Sequence, residues 1–260
     1  MKNLFCFLFL LFLSAGCSVK EDRSSCPVFI KFSDRVNPYD CVGDVLITVD
    51  GGGGCHDLQV PINVLADRDF HFSATKGHTV VSVLSGVMNA VTDRQEVRIL
   101  NRTAPDCIFA LAEEFTTESR DETYVIRDSL CRQTAPVTMR FKGADNVWER
   151  YSLLIHSRWN GFDRRTLAPL YGDLSFPLCP ENDECLIFFP RQGDSSLSLD
   201  FMDSEVLKYS FPLGRMIAET GYDWASRHLN GIVIELDCSL NEFDITINDW
   251  SSETPVEYII

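Results

Sequence analysis

Cys17 is the residue whose surroundings most clearly indicate a chemical modification. It ends the segment "LSAGC", which follows an apolar run from Leu4 to Leu13 with Lys2 in front of it. A positive start, an apolar middle shorter than the ~20 residues that span a bilayer, and small residues before a cysteine are typical of a bacterial lipoprotein signal. The alternative is an ordinary secretory cleavage site beside an incidental cysteine. The pattern predicts that residues 1–16 are a signal peptide and that Cys17 becomes the lipidated first residue of the mature chain.

Once Cys6 and Cys17 are set aside, eight cysteines remain, and an even number in an exported chain predicts disulfides. Zinc sites need closely spaced pairs such as CxxC, and the sequence has none, so no metal site is expected. Cys179 and Cys185 form the nearest pair, on either side of the polar segment "PENDE". That turn composition predicts a bridge between them, while the sequence does not choose among the possible pairings of the other six.

Other residues that could support catalysis lack the necessary neighbours. The five histidines form neither an HExxH motif nor an i, i+4 pair, and Ser85 lacks the strand–turn–helix setting of a nucleophile elbow. The four glycines at 51–54 are followed by "CHDLQV" instead of the Lys-Ser/Thr of a phosphate-binding loop, so they predict a hairpin tip. The chain is therefore predicted not to be an enzyme and to have no catalytic residues, no cofactor and no small-molecule substrate.

The net charge of the mature chain limits which molecules it can bind. Removal of residues 1–16 leaves 244 of the 260 residues, and loss of Lys2 takes the formal net charge from −15 to −16. Such a charge argues against binding nucleic acid and against electrostatic adhesion to anionic lipid. Membrane attachment is therefore expected through acyl chains, each methylene contributing ~0.8 kcal/mol.

The sequence predicts that the elements positioning these residues are β-strands. Short alternating or β-branched runs such as "DVLITVDG", "TVVSVLSG" and "QEVRIL" are separated by Gly, Pro, Asn and Asp. A second series begins with "VTMRFKG" after residues 131–136, which places a domain boundary near Ala135. This spacing predicts an all-β protein of packed antiparallel sheets, with domains at 26–134 and 135–250. The one helical candidate, 214–229, contains Gly221, so a short helix followed by a loop is expected.

Four tryptophans support an alternative function. Trp148, Trp159, Trp224 and Trp250 could stack on sugar rings, although packing within or at the edge of a sandwich is the commoner use of an indole ring. A surface glycan-binding lipoprotein is therefore the second hypothesis. It requires two or more coplanar exposed aromatic rings in a cleft.

The segment after the signal peptide resembles a known family. "CSVKEDRSSCP" followed by "VFIKF" resembles the start of the FimB/Mfa2 family, the lipid-anchored, fimbrillin-like anchor subunits of Bacteroidota. The segments "LSLDFMDSEVLKYSFPLGRMI" and "GIVIELDCSLNEFDITINDW" resemble the closing strands of that family, while the middle of the chain matches by spacing alone. The glycine run and the abundance of cysteine depart from the pattern. The resemblance implies two tandem transthyretin-like β-sandwich domains, preceded by a lipidated tether at 17–25.

The same resemblance implies a function. Such a protein anchors a fimbrium (pilus) in the outer membrane, and its partner is a stalk subunit held by strand exchange, in which backbone hydrogen bonds supply affinity. The tail at 251–260 has suitable chemistry, because Val256, Tyr258 and Ile260 would point to one face of an extended strand. These three residues are the predicted partner-binding residues. The alternative is that the tail forms a last edge strand of its own domain.

Overall fold

The structure of the chain is a computed structural model. It describes residues 25–32, 43–51, 54–65, 69–75, 77–118, 122–143, 150–180, 183–240, 242–249 and 256–259. Cys17 and the predicted signal peptide at 1–16 lie outside the described residues.

Strands dominate the described residues. Nineteen are numbered here in chain order: β1 (Ser25–Phe32), β2 (Asp44–Gly51), β3 (Gly54–Pro61), β4 (Asp69–Thr75), β5 (Gly77–Ser85), β6 (Ala90–Thr92), β7 (Glu96–Ile99), β8 (Phe109–Thr117), β9 (Glu122–Ile126), β10 (Cys131–Arg132), β11 (Thr134–Lys142), β12 (Tyr151–Asp163), β13 (Pro169–Leu178), β14 (Glu184–Pro190), β15 (Ser198–Asp203), β16 (Val206–Phe211), β17 (Ile232–Leu240), β18 (Glu242–Asp249) and β19 (Val256–Ile259). The helices whose two ends both lie within the described residues are a 3-10 turn (Ile62–Val64) and an α-helix, α1 (Leu213–Glu219).

The first half of the chain forms two sheets around one core. Their strand orders are β4-β1-β9 and β10-β8-β5-β2-β3. Alternation along β2 buries Val45, Ile47 and Val49, which join Ile30 and Phe32 of β1 in one apolar cluster. Side chains that alternate in this way enter the space between two sheets, which is the arrangement of a β-sandwich.

The second half forms another pair of sheets. One has the order β14-β11-β17-β18-β19, and the other has the order β16-β15-β12-β7-β6 with β13 also paired to β12. Val137 and Met139 of β11 pack in one cluster with Ile155 of β12 and Phe201 of β15. The predicted all-β sandwich class is therefore confirmed. The count of two transthyretin-like domains and their bounds at 26–134 and 135–250 stay predictions.

Two strand pairs are parallel, which differs from the antiparallel sheets that the sequence predicted. β1 runs parallel to β9, and β11 runs parallel to β17, while the other pairings are antiparallel. Parallel neighbours need a long connection because a tight hairpin reverses the chain. Both pairs meet this requirement, since many residues and several strands separate their members along the sequence.

The β6–β7 hairpin crosses from the first half of the sequence into the second. Its strand β7 pairs with β12 in the register Val97 opposite Phe162. The close approach depends on Gly161, because a Cβ atom at that position would lie 1.8 Å from the carbonyl oxygen of Val97. The segment "QEVRIL", which the sequence assigned to the first domain, thus completes a sheet of the second half.

A second connection runs in the opposite direction. The turn that follows β12 carries Arg164, whose guanidinium donates hydrogen bonds to the hydroxyls of Thr48 and Ser82 and to the carbonyl oxygen of Asp93. Arg164 is only 2% exposed. Each half of the chain therefore contributes an element to the other.

Two local predictions are confirmed. β2 ends at Gly51 and pairs there with Gly54, the first residue of β3, so the glycine run forms a hairpin tip, of which residues 52–53 lie outside the described part. Helix α1 ends before Gly221, which has φ +82, a left-handed conformation that glycine adopts without steric cost. The described residues include no helix long and apolar enough to cross a membrane.

Candidate functional site

The predicted partner-binding residues lie at one end of a sheet. Val256 and Tyr258 belong to β19, which pairs antiparallel with β18, while Ile260 lies outside the described residues. In this chain β19 is thus an edge strand on its own sheet, as the alternative interpretation of the tail expects. Donation of this strand to a partner stays a prediction and requires β19 to leave β18.

The contact between β19 and β18 is short. Val256 pairs with Ile247 and Tyr258 pairs with Ile245, so β19 covers four of the eight residues of β18. On its other side β18 pairs with β17 along most of its length, from Asp249 opposite Ile232 to Glu242 opposite Leu240. The outer strand is therefore held over half the length of the strand that supports it.

A group of ion pairs lies near one end of the opposite edge strand, β14. Arg140 of β11 lies between Glu184 of β14 (3.2 Å, Nε to carboxylate) and Glu235 of β17 (3.7 Å, Nη1 to carboxylate). Lys142 adds a second contact to Glu235 at 2.9 Å. The other residues of β14 are uncharged, and Leu186 is 63% exposed.

The predicted disulfide partners lie on neighbouring segments. Cys179 directly follows β13 and is exposed, whereas Cys185 lies in β14 opposite Met139, half-buried against the second core. Burial, with negative charge from Cys179 and Glu184, raises the pKa of Cys185 to about 11. Both residues are free thiols in the structure. A bridge between them stays a prediction.

The two described tryptophans meet their tyrosine neighbours at steep angles. Trp159 meets Tyr171 at 84° between ring planes, and Trp224 meets Tyr222 at 66°. Trp148 and Trp250 lie outside the described residues. Neither of these two tryptophan–tyrosine pairs forms a coplanar stacking surface.

One concave feature was not indicated by the sequence. Three loops and α1 enclose a cleft of about 550 Å³, here named the Trp224 cleft. Its lining consists of Thr166, Leu167, Ala168, Pro169, Arg191, Gln192, Gly193, Asp194, Ser195, Gly214, Ala218, Asp223, Trp224 and Ala225. These residues are far apart in sequence and share no short motif, so no sequence pattern identifies them. The described residues contain no group of three or more His, Cys, Asp or Glu that could hold a metal ion.

Comparison with known proteins gives the fold. No family model and no curated protein matches the sequence. A protein from Bacteroides thetaiotaomicron, provisionally described as polysaccharide-binding, superposes with a TM-score of 0.61 at 14% identity, over 90% of this chain and 98% of its own. A provisionally assigned adhesin from Bacteroides ovatus gives a TM-score of 0.58 at 12% identity, over 91% of this chain and 99% of its own.

The third match is a fimbrial protein. The fimbrial anchor protein Mfa2 from Porphyromonas gingivalis superposes with a TM-score of 0.60 at 14% identity, over 87% of this chain and 98% of its own. Each of the three chains is covered almost completely, so the likeness extends over both pairs of sheets. Identities this low establish the fold and leave the function to be argued. This chain thus shares its fold with the fimbrial anchor Mfa2 and with the two Bacteroides proteins.

Proposed function

We propose that this chain anchors a fimbrium at the cell surface, as a lipoprotein of the outer membrane that stands at the base of the filament. The acyl chains on Cys17 hold it in the membrane, and residues 17–24 form a hydrated tether that ends where β1 begins at Ser25. A stalk subunit is its partner, and it uses no cofactor, small-molecule substrate or nucleic acid. The lipoprotein signal and the fold shared with Mfa2 support this function.

The observation that carries the proposal is the short contact of β19 with β18. An edge strand paired over four residues can be exchanged for a strand of another subunit because the same backbone groups pair in both arrangements. Each backbone hydrogen bond contributes about 1 kcal/mol net, so little stability separates the two states. The contacts that the side chains make in the partner groove then decide which of the two arrangements is more stable.

Two consequences of exchange follow. Residues 251–260 insert into a groove of the first stalk subunit, where Val256, Tyr258 and Ile260 bury their side chains at roughly 1.5–3 kcal/mol each before the ordering cost. The vacated edge of β18 becomes available to a strand in return. Alternate residues of the inserted strand fix its register.

Truncation of the tail tests this proposal. A chain ending at Ser251 should fold, stay in the outer membrane fraction and release filaments into the medium, which immunoblotting of the medium and the cells would measure. A full-length variant with Val256→Asp and Tyr258→Asp should release filaments in the same way, because a charge in the partner groove has no partner there. Glu257→Lys is the matched control, since Glu257 alternates to the other face and should retain filaments.

Two results would contradict the proposal. Truncated protein that still retains filaments would show that the tail makes no contact with the stalk. Truncated protein that unfolds, seen as a lost thermal transition, would show that β19 serves its own sheet alone.

A glycan-binding lipoprotein that uses its tryptophans as a platform is the weaker candidate. The fold shared with a protein provisionally described as polysaccharide-binding is compatible with it. The steep angles between Trp159 and Tyr171 and between Trp224 and Tyr222 disfavour a flat platform. The anchor function is therefore preferred.

A further inference from the structure

One wall of the Trp224 cleft depends on two glycines, Gly193 and Gly214, because only residues without a side chain can pack so closely there. A Cβ atom on Gly193 would lie 2.4 Å from the ring of Trp159, and one on Gly214 would lie 2.7 Å from the backbone of Ser195. The loop at 191–195 therefore rests directly on an indole ring on one side and on the start of α1 on the other. Such close backbone contact makes this wall of the cleft a fixed surface.

Two carboxylates face the cleft with hydrogen-bonding capacity left. Asp194 accepts hydrogen bonds at Oδ1 from the indole N–H of Trp159 (2.9 Å) and from the amide of Ser196 (2.8 Å). Hydrogen bonds from the Ser196 hydroxyl, from Trp159 and from the Ser196 amide hold the pKa of Asp194 below its ordinary value, so it is ionised at neutral pH. Asp223 accepts from the amide of Ala225 at Oδ1 (2.8 Å). A carboxyl group has two oxygens, and the hydrogen bonds above use Oδ1, so Oδ2 of each residue is an acceptor site for a ligand.

Arg191 is the cationic residue in the lining of the cleft, and its hydrogen-bond donors are already used within the protein. Arg191 is 5% exposed, and its guanidinium makes five hydrogen bonds. Their acceptors are the side-chain oxygen of Gln133, contacted twice, and the carbonyl oxygens of Trp224, Ser226 and Arg227. A guanidinium has five N–H groups, so none remains for an anionic ligand. The cleft therefore disfavours anions.

The rest of the lining combines small apolar residues and one aromatic ring with the polar residues Thr166, Gln192 and Ser195. Ala168, Ala218 and Ala225 are exposed, and the half-buried ring of Trp224 lies beside them. The indole Nε1 of Trp224 is buried and has no hydrogen-bond partner among the described residues, so the ring offers the cleft its apolar surface and not its N–H group. A volume of about 550 Å³ falls in the range of small-molecule sites.

We infer that the Trp224 cleft binds a neutral saccharide of one or two rings. Its hydroxyl groups donate to Asp194 and Asp223, and the apolar face of a sugar ring lies against Trp224 and the exposed alanines. An ammonium or guanidinium group would satisfy the carboxylates and leave the apolar surface uncovered. This site uses one indole ring and two carboxylates, so it differs from the platform of coplanar tryptophan rings disfavoured above. It is independent of strand exchange at β19 and would add an adhesive activity to the proposed anchor.

Saturation-transfer NMR on the full mature chain tests the inference. The probes are the methyl glycosides of glucose, galactose, mannose and N-acetylglucosamine, with lactose and cellobiose. Methyl glucuronide, acetyl-lysine amide and acetyl-arginine amide serve as charged comparators. At least one neutral probe should show transfer and quench tryptophan fluorescence, and methyl glucuronide should bind more weakly than its neutral counterpart.

Variants locate the site. Ala218→Phe, which fills the cleft from the exposed face of α1, should abolish transfer, while Ala218→Ser should not. Asp194→Asn and Asp223→Asn, which keep the acceptor oxygen of the native hydrogen bonds, should each weaken binding by roughly tenfold. Asp173→Asn, a carboxylate on β13 outside the cleft, should have no effect.

Three results would overturn the inference. They are the absence of transfer from every neutral probe, transfer that persists in Ala218→Phe, and binding of a cationic amide that depends on Asp194 while no saccharide binds. Circular dichroism of each variant shows whether a lost signal reflects the cleft or misfolding. If Ala218→Phe misfolds, the two asparagine variants decide.

Discussion

Arg164 carries a charge into the interior between the two halves of the chain. Its burial lowers the pKa of the guanidinium, against the influence of Asp57, Cys55 and Asp93, and its Nε has no hydrogen-bond partner among the described residues. A guanidinium stays protonated in proteins, so the buried charge persists. The adjacent Arg165 is 40% exposed and pairs with Asp50 at the surface.

These two arginines give a matched pair of variants. Arg164→Ala should lower the free energy of unfolding by about 2–4 kcal/mol, because it leaves a cavity and removes donors from Thr48, Ser82 and Asp93. Arg165→Ala should cost less than about 1 kcal/mol, as exposed ion pairs do. Urea denaturation measures both values. Equal effects would show that Arg164 contributes nothing beyond a surface contact.

Cys17 decides attachment to the membrane under the proposed function. Cys17→Ala should remove the protein from the outer membrane fraction, because no thiol remains to receive the diacylglycerol. Metabolic labelling with a fatty-acid analogue followed by fractionation measures this. Cys26→Ala is the control and should keep the label. Labelling that persists in Cys17→Ala would refute the assignment.

Cys179 and Cys185 should form a disulfide in protein from its native compartment, detected as a linked peptide on non-reducing mapping. After reduction the two thiols should differ in reactivity. At pH 8 iodoacetamide should modify Cys179 well before Cys185, because the pKa of Cys185 is about 11 and its thiolate forms only as the pH approaches that value. Either thiol found free in native protein would contradict the bridge, and equal alkylation rates would contradict the burial of Cys185.

The β6–β7 hairpin is the element whose partner depends on a single glycine. Gly161→Ala should destabilise the protein by about 1–3 kcal/mol, since a Cβ atom there meets the backbone carbonyl of Val97. Gly172→Ala is the control with a smaller expected cost, because its Cβ atom would meet the side chain of Asn160, which can move. Thermal unfolding of both variants compares them. An equal shift in Tm would contradict this role of Gly161.

Local elements were predictable from the sequence, and their partners were not. Alternation along β2 and β11, the glycine tip at Gly51 and Gly54, and the short helix before Gly221 follow from side-chain period and turn chemistry. Period-two patterns show which residues face a core but do not identify the neighbouring strand. The pairing of β7 with β12 and the parallel pairs were therefore not predictable. The Trp224 cleft was missed because loops distant in sequence build it.

At the scale of the whole molecule, each half of the chain contributes structure to the other half. The second half receives β6 and β7, and the first half receives Arg164. A chain division near Ala135 therefore cuts these contacts, and it also divides the second core, which includes Leu84, Ile108 and Ala110 of the first half. Two sandwiches with that boundary remain a prediction, to which the structure adds an expected dependence of each half on the other.

Separate expression of the halves tests this dependence. Residues 134–260 alone lack β7, so the end of β12 at Gly161–Asp163 keeps its pairing with β13 but loses its pairing with β7, and we expect low solubility and a broad thermal transition. Addition of residues 17–133 should restore a single sharp transition, measured by circular dichroism and size-exclusion chromatography. Residues 17–133 with Val97→Asp are the control and should fail to restore it. Stable, sharp unfolding of residues 134–260 alone would refute the dependence.

The position of β1 in its sheet affects how an anchored protein withstands pulling. β1 is the first described strand after the tether, and it is paired on both sides, with β4 from Ser25 to Lys31 and with β9 from Val28 to Phe32. Hydrogen bonds between strands lie roughly across the strand axis. Tension drawn through Ser25 along that axis would load both rows of bonds together in shear instead of opening them one by one. Under the proposed function, the pull of a filament would therefore be resisted by both rows of hydrogen bonds at once.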